Sequence, residues 1–304
     1  MESNRGEHQE LDINYIPQDN DLLPDQKELP DIFMMLEGKR VNHMHDWKKR
    51  RAELKSILAH YVYGHMPPAP ENITAEETRP SEQVFAGAGL QKHLKLSMGV
   101  HKKLFINLTL TIPTSVGPFP TILINRRVTE KSCILPANLE IGLRRGYLIA
   151  EYKASDLQLD ETDTAGPAKS AYPEYDWGTI AVWAWGGMRV IDYLLTLPEV
   201  DPSKIVVTGH SRGGKTALLT GALDERVAIT VPNATGGGGF QCWRFPIWPS
   251  DNAGVYHHES VTIMSKRRSY WFHARLSPFA EKVSCLPFDQ HFLAALVAPR
   301  PLCI

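Results

Sequence analysis

One segment constrains the fold of this chain more than any other: an apolar run, a tight turn around a serine, and a helical stretch. Residues 205–208 are apolar and predict a buried strand. Gly209, Ser211 and Gly213 follow in a G-x-S-x-G arrangement, and helical spacing begins at Gly214. Strand–turn–helix is the context in which this motif forms a nucleophile elbow. Backbone N–H groups and the dipole at a helix N-terminus stabilise developing negative charge, so Ser211 is predicted to be a nucleophile. The alternative is a turn in which the serine only caps the helix.

Two cations stand beside the predicted nucleophile. In an elbow of this kind, the backbone N–H of the residue after the serine donates to the oxyanion. Here that residue is Arg212, whose guanidinium can supply a further donor. Lys215 lies one helical turn after Ser211 and is predicted to face the same opening. Two positive charges at this place suit an anionic substrate such as a uronate. The alternative for each is a solvated surface charge.

The remainder of the chain alternates between short apolar runs and helical stretches. Residues 94–98 and 104–112 alternate apolar with polar side chains and predict two antiparallel strands at a sheet edge. Further along, runs typical of strands buried on both faces alternate with helices. This alternation predicts a mostly parallel central sheet between layers of helices. The predicted strands are 121–124, 147–151, 205–208, 228–231 and 301–304, and the predicted helices are 46–63, 179–197, 214–223 and 290–297.

Composition excludes several classes of function. Lys plus Arg number 33 and Asp plus Glu 34, so a net charge of −1 gives no field for nucleic acid or an anionic membrane. No apolar run approaches the roughly 20 residues of a membrane helix, and the polar N-terminus lacks the apolar core of a signal peptide. Four cysteines form no CxxC pair, so no zinc site is predicted. We expect a monomer that binds neither nucleic acid nor membranes.

Five segments in order resemble the glucuronoyl esterases, carbohydrate esterase family 15 of the α/β-hydrolase superfamily. Residues 208–215, Thr-Gly-His-Ser-Arg-Gly-Gly-Lys, are similar to the family's G-[CH]-S-R-x-G-K elbow. The others are 46–64, similar to the N-terminal helix ending in Y-V-Y-G; 177–186, similar to W-G-x-I-A-x-W-A-W-G; 235–244, similar to S-G-x-G-G-x-x-C-W-R; and 286–300, similar to P-F-D-x-H-x-L-A-A-L-I-A-P-R. The resemblance implies an α/β-hydrolase fold, a three-layer sandwich, over residues 31–304, after an irregular lead-in over residues 1–30.

The resemblance also implies a function. Glucuronoyl esterases hydrolyse the ester that joins the 4-O-methyl-glucuronic acid of xylan to lignin alcohols, with a Ser–His–acid triad and no metal or cofactor. Ser211 matches the nucleophile, Arg212 the arginine that supports the oxyanion, and Lys215 a lysine that contacts sugar hydroxyls. Glu259 resembles a sugar-contacting Glu or Gln before the family's Trp-Phe pair, which begins here at Trp271. The implied partner is a glucuronoxylan ester.

Two positions depart from the family pattern. Many members carry the catalytic acid just before the S-G-x-G-G segment, where this chain has Ala234 preceded by Asn233. Other members place the acid after the strand that follows A-P-R-P, and the catalytic histidine comes later still, whereas this sequence ends at Ile304. We therefore expect a domain that is incomplete at its C-terminus, with the last strands of the sheet missing and its activity impaired.

Histidines within the chain are the remaining candidates for a general base. His291 matches a family position that is structural. His210 is expected to point away from the serine, because neighbouring side chains in an elbow diverge. The roles of His257, His258 and His273 stay open.

Two other functions stay open as well. Fold and elbow do not fix the acyl group, so an acetyl-xylan or other carbohydrate esterase is one alternative. A catalytically inactive carbohydrate-binding remnant is the other. The cellular location stays open too, since family members are typically secreted or periplasmic and no export signal is visible here.

Overall fold

The fold is built around one mixed β-sheet in a computed structural model that describes residues 24–99, 102–126, 136–161, 164–245 and 259–304. Its strand order is β1-β2-β3-β5-β4-β6-β7. The strands are β1 (Thr74–Val84), β2 (Gly89–Met98), β3 (Leu104–Pro113), β4 (Phe119–Arg126), β5 (Leu148–Lys153), β6 (Val200–His210) and β7 (Val227–Asn233). The helices are α1 (Met44–Leu58), α2 (Pro136–Arg144), α3 (Pro167–Ala171), α4 (Thr179–Leu194), α5 (Arg212–Leu223), α6 (Val261–Arg267) and α7 (His291–Val297).

The sheet has an antiparallel half and a parallel half. Strands β1, β2, β3 and β5 pair antiparallel, which confirms the predicted antiparallel strands β2 and β3. Strands β5, β4, β6 and β7 pair parallel. The prediction of a mostly parallel sheet therefore holds for the half that carries the elbow. In the other half, short connections join β1 to β2 and β2 to β3, which suits antiparallel pairing, and β3 also pairs antiparallel with β5 although β4 and α2 lie between them in the chain. Strand β1 was not predicted, since its side chains are nearly all exposed, as suits a sheet edge rich in charge.

The parallel half brings several loops together at one edge. The carboxyl ends of β5, β6 and β7 point the same way, so the loops that follow them meet there. Helix α5 begins directly after β6 and packs against β6 and β7. Beyond β7, Leu302 forms a parallel bridge with Thr230, so the predicted strand at 301–304 is present as a short contact with the sheet.

Helix α4 is buried along most of its length. Its tryptophans are core residues whose indole N–H groups are satisfied: Trp183 donates to Gln158 O at 2.8 Å, and Trp185 donates to Pro67 O at 2.9 Å. This is the usual arrangement for a buried tryptophan. The predicted helix over 46–63 is present as α1 followed by a π-helical turn, Ala59–Tyr63. Gly64 ends it at φ +76°, where an added Cβ would lie 2.3 Å from the carbonyl oxygen of Asp176.

No helix in the described ranges is long and apolar enough to cross a membrane. The division into a lead-in and a domain at residues 30 and 31 stays a prediction, and residues 1–23 lie outside the described part.

Candidate active site

Ser211 occupies a strained turn between β6 and α5. Its backbone has φ 57° and ψ −120°, a region that L residues other than glycine rarely adopt. The turn is fixed from both sides, because the Ser211 N–H donates to Asn233 O at 3.0 Å and the Lys215 N–H donates to Ser211 O at 2.9 Å. The predicted strand–turn–helix is therefore present. Ser211 is partly exposed rather than sealed in the core.

Glycines make the turn sterically possible. A Cβ on Gly209 would lie 2.4 Å from the carbonyl oxygen of Gly213. A Cβ on Gly214 would lie 2.4 Å from the carbonyl oxygen of Asn233. The close approach of the helix leaving the turn thus excludes a side chain at Gly209, and the close approach of β7 excludes one at Gly214, just after the G-x-S-x-G pattern. A Cβ on Gly213 would make only an ordinary contact, at 3.5 Å from the carbonyl oxygen of Asn125.

The Arg212 guanidinium is held by a carboxylate and an indole. It forms an ion pair with Asp160, and its Cζ lies 5.6 Å from the ring centroid of Trp271. The second oxygen of Asp160 accepts from Trp271 Nε1 at 2.7 Å and from the Tyr270 hydroxyl at 3.1 Å. The Arg212 side chain is 32% exposed and that of Asp160 only 9%. The arginine is therefore anchored at the edge of the site and not free in solvent.

Lys215 is a buried cation paired with Glu259. Its side chain is 1% exposed, and its ammonium donates to Glu259 Oε2 and to the carbonyl oxygen of Thr235. Burial lowers the pKa of Lys215 and the Glu259 carboxylate opposes that shift. The alternative of a solvated surface lysine is therefore wrong. The structure brings Lys215 and Glu259, which lie 44 residues apart, into direct contact.

A glycine-rich turn after β7 packs against this pair. A Cβ on Gly237 would lie 1.9 Å from the backbone oxygen of Glu259, and one on Gly238 (φ +75°) would lie 2.1 Å from the ring of Phe272. The buried Tyr63 hydroxyl donates to Gly238 O at 3.0 Å. The absence of side chains at Gly237 and Gly238 thus allows Glu259 and the Trp-Phe segment to approach Lys215.

The ring of Trp271 lies next to three cationic side chains of the site. Arg212, Lys215 and Arg268 place their charged groups 5.6, 5.6 and 5.5 Å from its ring centroid. Cations attract the face of an indole ring at this range. Arg212 and Lys215 each have a carboxylate partner, Asp160 and Glu259. The expectation that these two charges attract an anionic substrate is therefore not supported, because each is already largely compensated.

The described histidines are engaged away from the serine. His210 Nδ1 lies 3.1 Å from Asn233 Oδ1, and His291 Nε2 donates to Pro30 O at 2.8 Å. His273 accepts from the Arg275 N–H at Nδ1, so its Nε2 carries the proton in the neutral ring and faces Asp176 at 3.2 Å. Within the described residues, no side chain forms a hydrogen bond with Ser211 Oγ. His257 and His258 lie outside these residues.

Two further residues belong to the site although the sequence did not single them out as functional. Asp160 lies in a loop after β5 with no motif around it, and only the sheet order brings it to Arg212. Trp271 was noted solely as a landmark for placing Glu259. Its position in a Trp-Phe pair similar to that of the glucuronoyl esterases was the available signal.

Comparison with known proteins places this chain among esterases. The family model described as "Glucuronyl esterase, fungi" matches residues 98–304. The chain is 30% identical over 286 residues to a 4-O-methyl-glucuronoyl methylesterase of Podospora anserina, covering 92% of this chain and 55% of the relative. It is 32% identical over 284 residues to the enzyme of the same name from Phanerochaete carnosa, covering 90% and 65%. The chain thus spans just over half to two thirds of the length of these relatives.

A solved structure agrees with the architecture. A promiscuous esterase of carbohydrate esterase family 15, from a marine bacterial metagenome, superposes with a TM-score of 0.74 at 28% sequence identity. The match covers 93% of this chain and 79% of that one. The α/β-hydrolase fold expected from the sequence is therefore confirmed.

Proposed function

The chain belongs to the glucuronoyl esterase family, and from this premise we propose that it is a serine-type carboxylic ester hydrolase acting on 4-O-methyl-glucuronate esters of xylan. One observation carries the proposal. A partly exposed serine sits at a strained elbow, and the two cations that follow it converge on the same indole ring, that of Trp271.

The proposed chemistry begins at Ser211. Its Oγ forms a bond to the ester carbonyl carbon, and the carbonyl oxygen becomes an oxyanion. The Arg212 backbone N–H and guanidinium stabilise this charge, and a single such donor is typically worth about 10²–10³-fold in rate. Collapse of the intermediate breaks the bond to the alcohol, which leaves with the proton removed from Oγ. Water then attacks the acyl-enzyme, releases the uronic acid and restores Ser211.

The neighbouring pair is proposed to hold the sugar. Glu259 is 33% exposed, so its carboxylate can accept from a sugar hydroxyl while it stays paired with Lys215. The Lys215 ammonium has three protons, of which Thr235 O and Glu259 take two, and the third is available to a ligand oxygen. This arrangement suits hydroxyl groups better than a free anion, which fits an esterified and therefore uncharged uronate.

Removal of the proton from Ser211 Oγ is the step for which the described residues provide no base. A serine hydroxyl without a positioned base is a poor nucleophile. The described residues provide no hydrogen-bond partner for Ser211 Oγ, and Ala234 stands where many relatives have an acid. We propose that the described residues contribute oxyanion stabilisation and substrate binding to the hydrolysis, and that the general base comes from outside the described residues.

The test compares acyl groups and variants. Hydrolysis of methyl 4-O-methyl-glucuronate and benzyl glucuronate is measured beside acetylated xylan, for the wild type, Ser211→Ala and the exposed control Ser277→Ala. We expect measurable uronate release that Ser211→Ala abolishes and Ser277→Ala preserves. Faster deacetylation of xylan would favour the other carbohydrate esterase. Binding of the uronate ester without turnover, unchanged in Ser211→Ala, would favour an inactive carbohydrate-binding protein, for which the missing partner of Ser211 Oγ is the supporting observation.

A further inference from the structure

A cavity between α1 and α5 takes no part in the proposed reaction. Its volume is about 470 Å³, within the range of small-molecule sites. Leu219 and Leu223 line it from α5. At 1.5 Å per helical residue, they lie roughly 12 and 18 Å along the helix from Ser211. The cavity is therefore a separate feature and not an extension of the active site.

Its floor is apolar. Leu58 from α1 and Leu219 from α5 are buried there at 2% and 1% exposure, and Ala59 and Leu223 continue the same surface. Covering such a surface with an apolar group removes it from water, which is favourable. The floor thus favours the apolar body of a ligand.

The rim carries a lysine ammonium, that of Lys55, with no directly bonded partner among the described residues; the nearest carboxylate, that of Glu225, is paired with Arg51. Arg51 is fully engaged, since it forms an ion pair with Glu225 at 2.9 Å and donates to Ala298 O at 3.0 Å. Lys55, on the next turn of α1, is partly buried in the cavity wall. Its ammonium has neither an ion pair nor a hydrogen bond with any residue of the described ranges. Burial lowers the pKa of Lys55, the charges of Arg51 and Arg300 lower it further, and the carboxylates of Glu225 and Asp224 oppose the shift without bonding to the ammonium.

We propose that this cavity binds an amphipathic organic monocarboxylate, with the carboxylate on the Lys55 ammonium and the apolar body against Leu219 and Leu223. A half-buried ammonium without a partner is costly, and an anion relieves that cost. A neutral apolar ligand would leave Lys55 unpaired, and an inorganic anion would leave the floor in water. The exposed Lys48 on the same rim adds attraction for an anion.

The proposal does not depend on the esterase function. The cations of the active site, Arg212 and Lys215, already have carboxylate partners, whereas Lys55 has none among the described residues. A ligand carboxylate is therefore expected to bind more favourably at Lys55 than at Arg212 or Lys215.

Calorimetric titration of the whole chain at pH 7.5 tests the proposal, with cinnamate and octanoate as probes. Cinnamyl alcohol and inorganic phosphate are the matched controls for the lost charge and the lost apolar body. We expect saturable one-to-one binding of at least one carboxylate, and at least tenfold weaker binding of both controls. Tighter binding of cinnamate would identify an aromatic ligand, and tighter binding of octanoate an alkyl ligand; either supports the proposal.

Variants locate the site. Lys55→Met keeps the apolar stem and should weaken binding at least tenfold, and Lys49→Met, an exposed lysine on the same helix, should change it less than twofold. Leu223→Trp fills the cavity while leaving Lys55 in place and should also weaken binding at least tenfold. Circular dichroism confirms that each variant is folded. The proposal is overturned if neither carboxylate binds saturably, if a control binds equally well, or if Arg212→Ala abolishes binding and Lys55→Met does not.

Discussion

The indole of Trp271 donates to the carboxylate of Asp160 across 2.7 Å, and the other oxygen of that carboxylate forms an ion pair with Arg212. A buried acid thus connects the aromatic centre of the site to the residue next to the nucleophile. The orientation of the Arg212 guanidinium depends on a residue 52 positions earlier in the chain. In the proposed reaction Asp160 is therefore a positioning residue, since it would act on the oxyanion only through Arg212.

Asp160→Asn tests this relationship. The amide keeps one acceptor for Trp271 but removes the charge that holds the guanidinium, so we expect kcat for benzyl glucuronate to fall about 10–100-fold with KM nearly unchanged. The exposed neighbour Glu161 provides the control: Glu161→Gln should leave both constants within twofold. A rise in KM with kcat intact would instead assign Asp160 to substrate binding.

Glu259→Gln tests the buried cation. Without the carboxylate, Lys215 stays buried beside a neutral amide, and we expect the free energy of unfolding at pH 7 to fall by about 1–3 kcal/mol.

The pH dependence of this loss has a defined sign. Burial already lowers the folded-state pKa of Lys215, and losing Glu259 lowers it further. The variant's penalty is therefore complete where the lysine is charged in both proteins and the Glu259 carboxylate is ionised, and it shrinks as pH rises through the two folded pKa values of Lys215. Urea unfolding of both proteins at intervals from pH 7 to 10 measures it. A difference that grows with pH would contradict the assignment.

His60 predicts a loss of stability in acid. Burial first, and then the charges of Arg275, His65 and His273, lower the pKa of His60 to about 4. Its folded pKa lies below the unfolded value near 6.5, so stability is complete above 6.5 and falls as pH drops towards 4. Urea unfolding at pH 4.5, 5.5, 6.5 and 7.5 should show this slope, and His60→Gln should flatten it.

Asp176 acts in a lower pH window. Burial raises its pKa, but hydrogen bonds from the His65 backbone and ring, with the charges of His65 and His273, outweigh burial and lower it to about 2. Its contribution is complete above about 3.8 and is lost only as pH falls towards 2. A slope that survives His60→Gln unchanged between pH 4.5 and 6.5 would show that His60 is not its source.

Replacing Ser211 by glycine is expected to abolish activity and to give a more stable protein than replacing it by alanine. Residues held in sparsely populated backbone regions cost about 1–3 kcal/mol, and glycine adopts them without that cost. We expect Ser211→Gly to raise Tm relative to Ser211→Ala, which retains the strain, while both variants lose activity. Calorimetric melting of the two proteins makes the comparison. An equal or lower Tm for the glycine variant would mean that the turn is not strained in solution.

Local patterns predicted the elbow well, because everything it requires lies within a few residues: an apolar strand, small residues two positions away, and a helix. The fate of Lys215 was harder to predict. Its spacing gave the right face of α5, but its burial depends on Glu259, whose approach requires Gly237 and Gly238 in another loop. Asp160 could not be predicted at all, since no periodicity marks a lone carboxylate in a loop.

Strand β1, at the antiparallel edge of the sheet, could not be predicted from the sequence either. Strand β1 has exposed, charged residues along almost its whole length, so it lacks the alternation by which strands are recognised. Its partner β2 holds it through the backbone ladder and through a few exposed polar contacts to His93, such as that from the Thr78 hydroxyl to His93 O at 3.1 Å. Alternating hydrophobicity marks strands that bury the side chains of one face, and β1 buries almost none of its side chains.

Tyr63 contacts both the α1–α5 cavity and the turn beside Glu259, two regions to which we assign different functions. It is one of the residues that line the α1–α5 cavity, and its hydroxyl donates to Gly238 O in the glycine-rich turn that packs against Glu259. Because the residue is buried, a ligand that displaced Tyr63 from its place at the cavity would strain this hydrogen bond and the turn that it holds.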